Sequence, residues 1–280
     1  MMLPCFSRRR TSIAGTFVSG TNLPEPHFLA VLLRSKVKMI SLDQPFTSMV
    51  QKLRLLAPIG PEDEKAVVSL PHRISQVSWR ELIVREGASP KECCLLIDGF
   101  ASRSKVATDG GRQIVSFHIP GDILDLQHLF LERADHNIQA TTDATIVWLP
   151  MKALRDLAER RPMIGKAFWR DTLIDASIFR EWVLNVGRRD AKTRIAHMLC
   201  EFIVRCQAAG LGTPQRIKLP FTQEEIADAT GLTAVHVNRM LRELVEDGLI
   251  HRVGRSIEIK DWDRFCRIAG FDQAYLHAAA

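Results

Sequence analysis

Residues 220–259 read PFTQEEIADATGLTAVHVNRMLRELVEDGLIHRVGRSIEI, and their spacing decides the fold of the C-terminal part of the chain. Thr222 followed by Glu225 is a capping box, in which the hydroxyl takes the third helical amide and the carboxylate reaches back. The helix it opens, residues 223–229, turns Ile226 and Ala227 inward. Thr230, Gly231 and Leu232 make a tight turn, where glycine supplies the left-handed backbone that bulkier residues resist. Thr233 caps a second helix running to about Glu246, with Val237, Met240, Leu241 and Leu244 at i, i+3, i+4 and i+7 on its buried face. Gly248 ends it, and residues 249–253 and 256–259 read as a hairpin about Gly254 and Arg255.

A short helix, a glycine turn and a second helix with a polar, Arg-bearing start form a helix-turn-helix with a wing, the shape that enters the major groove of DNA. The outward face of the second helix then presents Ala234, Val235, His236, Asn238, Arg239 and Arg242. The fork of Arg239 can take the O6 and N7 of a guanine together, Asn238 an adenine edge or a phosphate, and Val235 a thymine methyl. Thr222 and Thr233, at helix starts, are candidates for phosphate contacts. A plain helical hairpin with a solvated arginine is the bland alternative. The register of capping box, glycine turn and wing argues against it.

Upstream, residues 151–209 are helical. Ile164, Ala167, Phe168, Ala176, Phe179, Val183 and Val186 recur mostly at steps of three and four, one stripe on a helix of roughly 34 Å. Such a stripe is either a core helix packed on its own domain or a two-fold dimer seam, and the heptad-like spacing favours the seam. Residues 187–190, Gly-Arg-Arg-Asp, read as a hinge before a helix over 191–206. Residues 73–150 carry seven short strand-like runs (74–77, 82–84, 93–97, 101–106, 113–119, 138–140 and 145–149) separated by turn residues, the pattern of a β-barrel or roll. Two short helices, from Met49 and over 62–70, precede them, separated by Pro58, Gly60 and Pro61.

The net charge of +6 does not by itself point to nucleic acid. The first 38 residues hold six bases and one acid, leaving 32 bases against 31 acids for the rest. Arg8–Arg10 followed by an apolar run over 13–18 loosely resembles a secretory signal, but Gly15 and Thr16 break the run. Residues 1–48 are better read as a disordered extension, or as sequence upstream of a start at Met39 or Met49. The six cysteines, at 5, 93, 94, 200, 206 and 266, form no C-x-x-C pair and suit a reduced cytoplasm. Cys93 and Cys94 should point to opposite faces of a strand, one buried and one exposed. His118, His128 and His136 lack ligand spacing and are read as surface or core residues, so neither metal nor other cofactor is expected. No stretch is apolar enough to span a membrane.

With these residues in place the chain resembles the Crp/Fnr family of bacterial transcription regulators, over residues 49–259. The carriers are the helix-turn-helix signature TQEEIADATGLT, the roll glycines Gly87 and Gly99, IPGD at 119–122, and FREW with NVGRRDAKTRIAHML at the end of the long helix. The resemblance implies an α+β fold: a cyclic-nucleotide-binding-like sensor β-roll (49–155), a long dimerisation helix (156–188) and a C-terminal winged helix-turn-helix (189–280). It implies a cytoplasmic homodimer on palindromic double-stranded DNA, RNA polymerase as a partner, and an effector in the roll.

Two departures from the family pattern matter. Where many members read DNA with Glu, then Ser or Gly, then Arg, this chain has Val235, Asn238 and Arg239, so the operator should differ at one base. In GDILDLQHLFLERADHNIQA, Gly121 and Asp122 keep the turn of the effector pocket, while Leu126, His136 and Asn137 stand at the family's Glu, Arg and Ser/Thr positions. Without the carboxylate for the ribose and the guanidinium for the phosphate, cyclic AMP is not the expected effector. Arg133 is near enough to substitute under a shifted register. No enzyme motif is present, neither a phosphate-binding loop, a nucleophile elbow nor H-E-x-x-H. A remaining alternative is a ligand-independent regulator whose roll only scaffolds the dimer.

Overall fold

A computed structural model describes residues 45–213 and 216–277. The reading of residues 1–44 as a disordered extension lies outside the described residues. Helices α1 (Thr47–Leu56) and α2 (Pro61–Val68) lead into seven strands: β1 (Arg73–Val77), β2 (Leu82–Val84), β3 (Glu92–Asp98), β4 (Ala101–Val106), β5 (Arg112–His118), β6 (Asn137–Ala140) and β7 (Ala144–Pro150). Phe46, ahead of the expected start at Met49, is already buried in the core beneath α1.

The strands form two antiparallel sheets, ordered β1-β7-β3 and β2-β6-β4-β5. Their facing sides enclose one core, with Val77, Cys94, Leu96 and Ile146 from one sheet and Val84, Ala101, Ile138 and Ala140 from the other. Alternation sends Cys93 to the opposite side of β3, as expected. That side is not open to water, however. It is covered by α1, α2 and a helix α3 (Met151–Arg160), so both cysteines are buried. The β3–β4 turn is closed by Gly99 at φ +81°, where an added Cβ would lie 2.3 Å from the carbonyl oxygen of Asp143. Only glycine fits there.

Helix α4 (Pro162–Arg188) is 27 residues long, roughly 40 Å. The expected single stripe is divided among three surroundings. Of its residues Ile164, Ala167 and Phe168 join the core beneath the roll and Ala176, Phe179 and Val186 are half-buried, while Ile178 and Trp182, outside the stripe, join the C-terminal core. Val183, with Trp169 and Leu173, faces outward. Different core clusters pack along the two halves of this helix, so its buried side rotates along its length. The helix also runs through Gly187 and Arg188, and the break falls at Arg189, which is extended (φ −81°, ψ 150°).

Asp190 then caps α5 (Ala191–Ala208), accepting from the amides of Lys192 and Thr193 at 3.1 and 3.0 Å. There follow β8 (Arg216–Lys218), α6 (Gln223–Thr230), α7 (Ala234–Glu246), β9 (His251–Val253), β10 (Ser256–Glu258), α8 (Trp262–Ala269) and a 3₁₀ turn at Gln273–Leu276. The wing is a three-stranded sheet ordered β8-β10-β9. β8 is too short for alternation to reveal it. Leu249 and Ile250, expected in the hairpin, are instead buried links into the core. Among the described residues no helix is long and apolar enough to cross a membrane.

Candidate nucleic-acid interface

The helix-turn-helix is built by the local bonds its sequence calls for. Thr222 Oγ1 accepts from the Glu225 amide at 3.1 Å, and Glu225 Oε2 accepts from the Thr222 amide at 2.7 Å. Such a cap stabilises a helix by about 1 kcal/mol. Ile226 and Ala227 are buried, and Gly231 takes the left-handed conformation at φ 65°. Thr233 Oγ1 then accepts from the His236 amide at 3.2 Å, starting α7. Both threonines therefore spend their acceptors on caps and keep their hydroxyl protons to donate.

Val237, Met240, Leu241 and Leu244 are all buried in the C-terminal core. Anchoring that face turns the other to solvent. Val235 is 82% exposed, Asn238, Arg239 and Arg242 are exposed, and Ala234 and His236 are half-buried at the edge. Residues 234–242 contain no acid, so the start of α7 keeps its positive field. The wing strand β9 brings Arg252 beside this helix. Asn238, Arg242, Arg252 and Gly254 line part of a shallow hollow of about 340 Å³ between helix and wing. The Arg252 Nε donates to the Gly254 carbonyl at 3.1 Å, which steadies the wing tip. Arg252 was not among the expected contacts. The basic run His251, Arg252 and Arg255 around the hairpin glycine is the signal that would have found it.

The expected effector residues do not converge. Gly121 (φ +98°) packs under Ser48 of α1, and Leu126 is part of the apolar core. Asn137 Oδ1 accepts from the Glu86 amide at 2.9 Å. His136 is buried against Asp125, with Nε2 3.3 Å from Oδ1, and His128 approaches the same oxygen at 3.5 Å. Burial opposes the Asp125 charge, yet the two imidazoles hold its carboxyl down to about 2. Among the described residues no group of three or more His, Cys, Asp or Glu is arranged to hold a metal.

Asp122 is the centre of a buried ion-pair cluster. Its carboxylate meets Lys52 of α1 at 2.9 Å and Arg205 of α5 at 3.0 Å, with His118 at 3.5 Å. Burial alone would raise this carboxyl, but Lys52, His118 and Arg205 together hold it well below the ordinary carboxylate range. The IPGD turn thus joins the N-terminal helix, the roll and the DNA-reading unit. Beside it, Phe117 of β5 stacks on Phe221 at 3.8 Å, and Arg112 of β5 bonds Asp228 of α6 at 2.7 Å. The first helix of the helix-turn-helix is docked on the roll.

Two family models match this architecture: a cyclic nucleotide-binding domain over residues 76–161 and a Crp-like helix-turn-helix domain over residues 193–268. The transcriptional activator protein FnrL of Cereibacter sphaeroides is 30% identical over 181 residues, 63% of this chain and 72% of that protein. The chain belongs to the Crp/Fnr family of transcription regulators. The nitrogen fixation regulation protein FixK of Rhizobium meliloti is 29% identical over 205 residues, covering 72% of this chain and 87% of that one. Among solved structures, FixK2 from Bradyrhizobium japonicum aligns with a TM-score of 0.66 at 24% identity, over 71% of this chain and 98% of that one, a likeness of fold. The Crp/Fnr relatives are regulators, not enzymes. Within the Crp/Fnr frame, the roll and reading head share one continuous apolar core through Phe117, Trp182, Phe202 and Phe221.

Proposed function

We propose that this chain is a cytoplasmic, sequence-specific DNA-binding regulator that acts as a homodimer on a palindromic operator. The carrying observation is the acid-free stretch 234–242 of α7, with Arg239 and Arg242 exposed beside the wing and an entirely apolar face anchoring the helix. Arg239 takes a guanine, Val235 a thymine methyl, Asn238 an adenine edge or phosphate, and Thr222, Thr233, Ala234, His236 and Arg242 support the fit against the duplex. RNA polymerase is the protein partner that the family membership favours.

The dimer reading rests on α4. Trp169, Leu173 and Val183 are 66%, 55% and 70% exposed, and with Ala176 and Arg180 they step by four, three, four and three along the helix. That is the spacing of a coiled-coil seam. The reading requires a second copy on this seam to set the two α7 helices about one duplex turn, roughly 34 Å, apart. Selection from random duplex DNA with the full chain tests the reading. Enrichment of an inverted repeat supports it, and recovery of no preferred sequence overturns it.

Cyclic AMP is not the effector in this reading, since His136 and Leu126 stand where the phosphate and ribose partners belong. Titration calorimetry at micromolar concentrations should show no binding. One observation favours a roll that works without any effector. Arg103, buried on β4, crosses to the long helix, donating to the Leu124 carbonyl at 2.6 Å, approaching Asp175 at 3.5 Å and lying over the Phe179 ring. The roll and α4 are thereby joined by the protein's own side chain. A search for small molecules that raise the melting temperature separates the two versions.

A further inference from the structure

The hinge at Arg189 is crossed by a second connection that is not part of the chain path from helix to reading head. We propose that residues 270–277 form a strap that fixes the angle of the DNA-reading unit on the long helix, with Tyr275 as its fastening point. The inference rests on the palindromic DNA-binding reading above.

The strap touches both sides of the hinge. Tyr275 donates its hydroxyl to Glu201 Oε2 of α5 at 2.8 Å and lies 3.2 Å from His197 Nε2 of the same helix. Glu201 is buried and also accepts from Trp182 Nε1 of the long helix, at 3.1 Å to each oxygen. One carboxylate therefore ties α4, α5 and the strap together. His197 Nδ1 lies 3.3 Å from the Ala269 carbonyl at the root of the strap, and its ring packs against both Phe271 and Tyr275. At the far end Ser177 of α4 meets His277 at 3.4 Å, and Leu276 is buried. The hinge residue itself is gripped from both directions. Arg189 pairs with Glu181 and Asn185 of α4, and its Nη2 reaches the Gly270 carbonyl at 3.5 Å.

A buried carboxylate of one element that accepts from two others is rigid only while both donors are present. Removing the Tyr275 hydroxyl takes away the one donor that the strap supplies. The hinge then gains freedom without loss of the apolar packing. Two reading heads on a palindrome must both hold the correct angle at once, whereas a single half-site asks this of only one head. Loosening the strap should accordingly weaken the palindrome and spare the half-site.

The chain contains one tyrosine, so 3-fluorotyrosine labelling gives a single ¹⁹F resonance that reports on the strap alone. In the unaltered full chain it should lie away from its position in urea, and Glu201→Gln should shift it. With the palindrome selected by the unaltered chain, Tyr275→Phe should weaken binding roughly three- to tenfold while leaving a half-site duplex unchanged. Trypsin cleavage after Arg188 or Arg189, identified by mass, should accelerate several-fold in the same variant. Equal loss on both duplexes, or loss on neither, overturns the strap. If the unaltered chain selects no operator, the DNA-binding reading fails instead, and the strap then stands or falls on the cleavage rate at the hinge.

Discussion

The reading helix and the β-roll use polar residues in opposite ways. On α7 the buried side is wholly apolar, and the polar side chains Asn238, Arg239 and Arg242 stand in water. In the roll, Arg103, Asp122, Asp125, His118, His128 and His136 are all buried and face one another or the backbone, with Arg103 Nε, Asp125 Oδ2 and both ring nitrogens of His128 making no hydrogen bond among the described residues. The first arrangement stores its chemistry for a partner outside the protein. The second consumes its chemistry in holding the protein together. The contrast shows why one resemblance to a family carries over more directly to an exposed DNA-binding surface than to a buried effector site.

The contrast can be broken by substitution on each side. The largest expected effect is on the anchoring face. Leu244→Ala should cost about 2–5 kcal/mol of stability in urea unfolding, because Leu244 is fully buried and the site cannot collapse around the lost atoms. A loss near zero would mean that α7 is not anchored as described. Next, Asp122→Ala should cost about 2–4 kcal/mol, since it removes the carboxylate shared by Arg205 and Lys52 and leaves Lys52 with Asp171 and Arg205 with the Phe117 carbonyl and Glu201. The figure sits low in the range for broken buried pairs because the Lys52 side chain remains 29% exposed. If instead the variant is as stable as the parent but has lost response to a ligand, Asp122 belongs to an effector site after all.

Arg239→Ala sharpens the other side. It should leave the melting temperature unchanged and weaken operator binding by about 1–3 kcal/mol, with relaxed preference at one guanine. An unaltered footprint and affinity would remove Arg239 from the reading set.

The smallest effect is a pH dependence. Burial lowers the His197 imidazole to about 4, helped by the Arg189 charge. The unfolded chain, with an ordinary histidine near 6.5, then binds more protons than the native one between these values, so stability falls as pH drops from 6.5 to 4. His197 alone contributes a loss of roughly 1–2 kcal/mol between pH 7 and pH 5, opposed by Asp171, whose burial raises its carboxyl to about 6, so the effect is read as the difference in slope between the parent and His197→Gln. Asp125, held to about 2, adds a loss of the same sign only at lower pH, as its carboxylate is protonated below 3.8.

What the sequence discloses follows from range. The capping box, the glycine turn and the i, i+3, i+4, i+7 face of α7 are local, and each is found where periodicity and cap chemistry place it. The seven strands of the roll are likewise legible, because turn residues bound every one. The long helix is legible in extent but not in facing, since its burial depends on which unit lies beside each turn. The buried ion pairs escape sequence reading for the same reason: Lys52 and Asp122 are 70 residues apart, and Arg205 and Asp122 are 83 apart. Cys93, expected with Cys94 to make one buried and one exposed residue, is buried as well, because helices that nothing local announces cover the second face of β3.

The stacking of Phe117 on Phe221 carries a consequence for how such a chain can be divided or inherited. A sensor and a reading head that share aromatic rings are not modules joined by a string. Cutting the gene between them would leave each product with a greasy scar, prone to clump. Recombination that swapped one half for a foreign counterpart would have to match rings across the seam wherever in α4 or α5 the crossover fell, because Phe117 and Phe221 lie on either side of both helices.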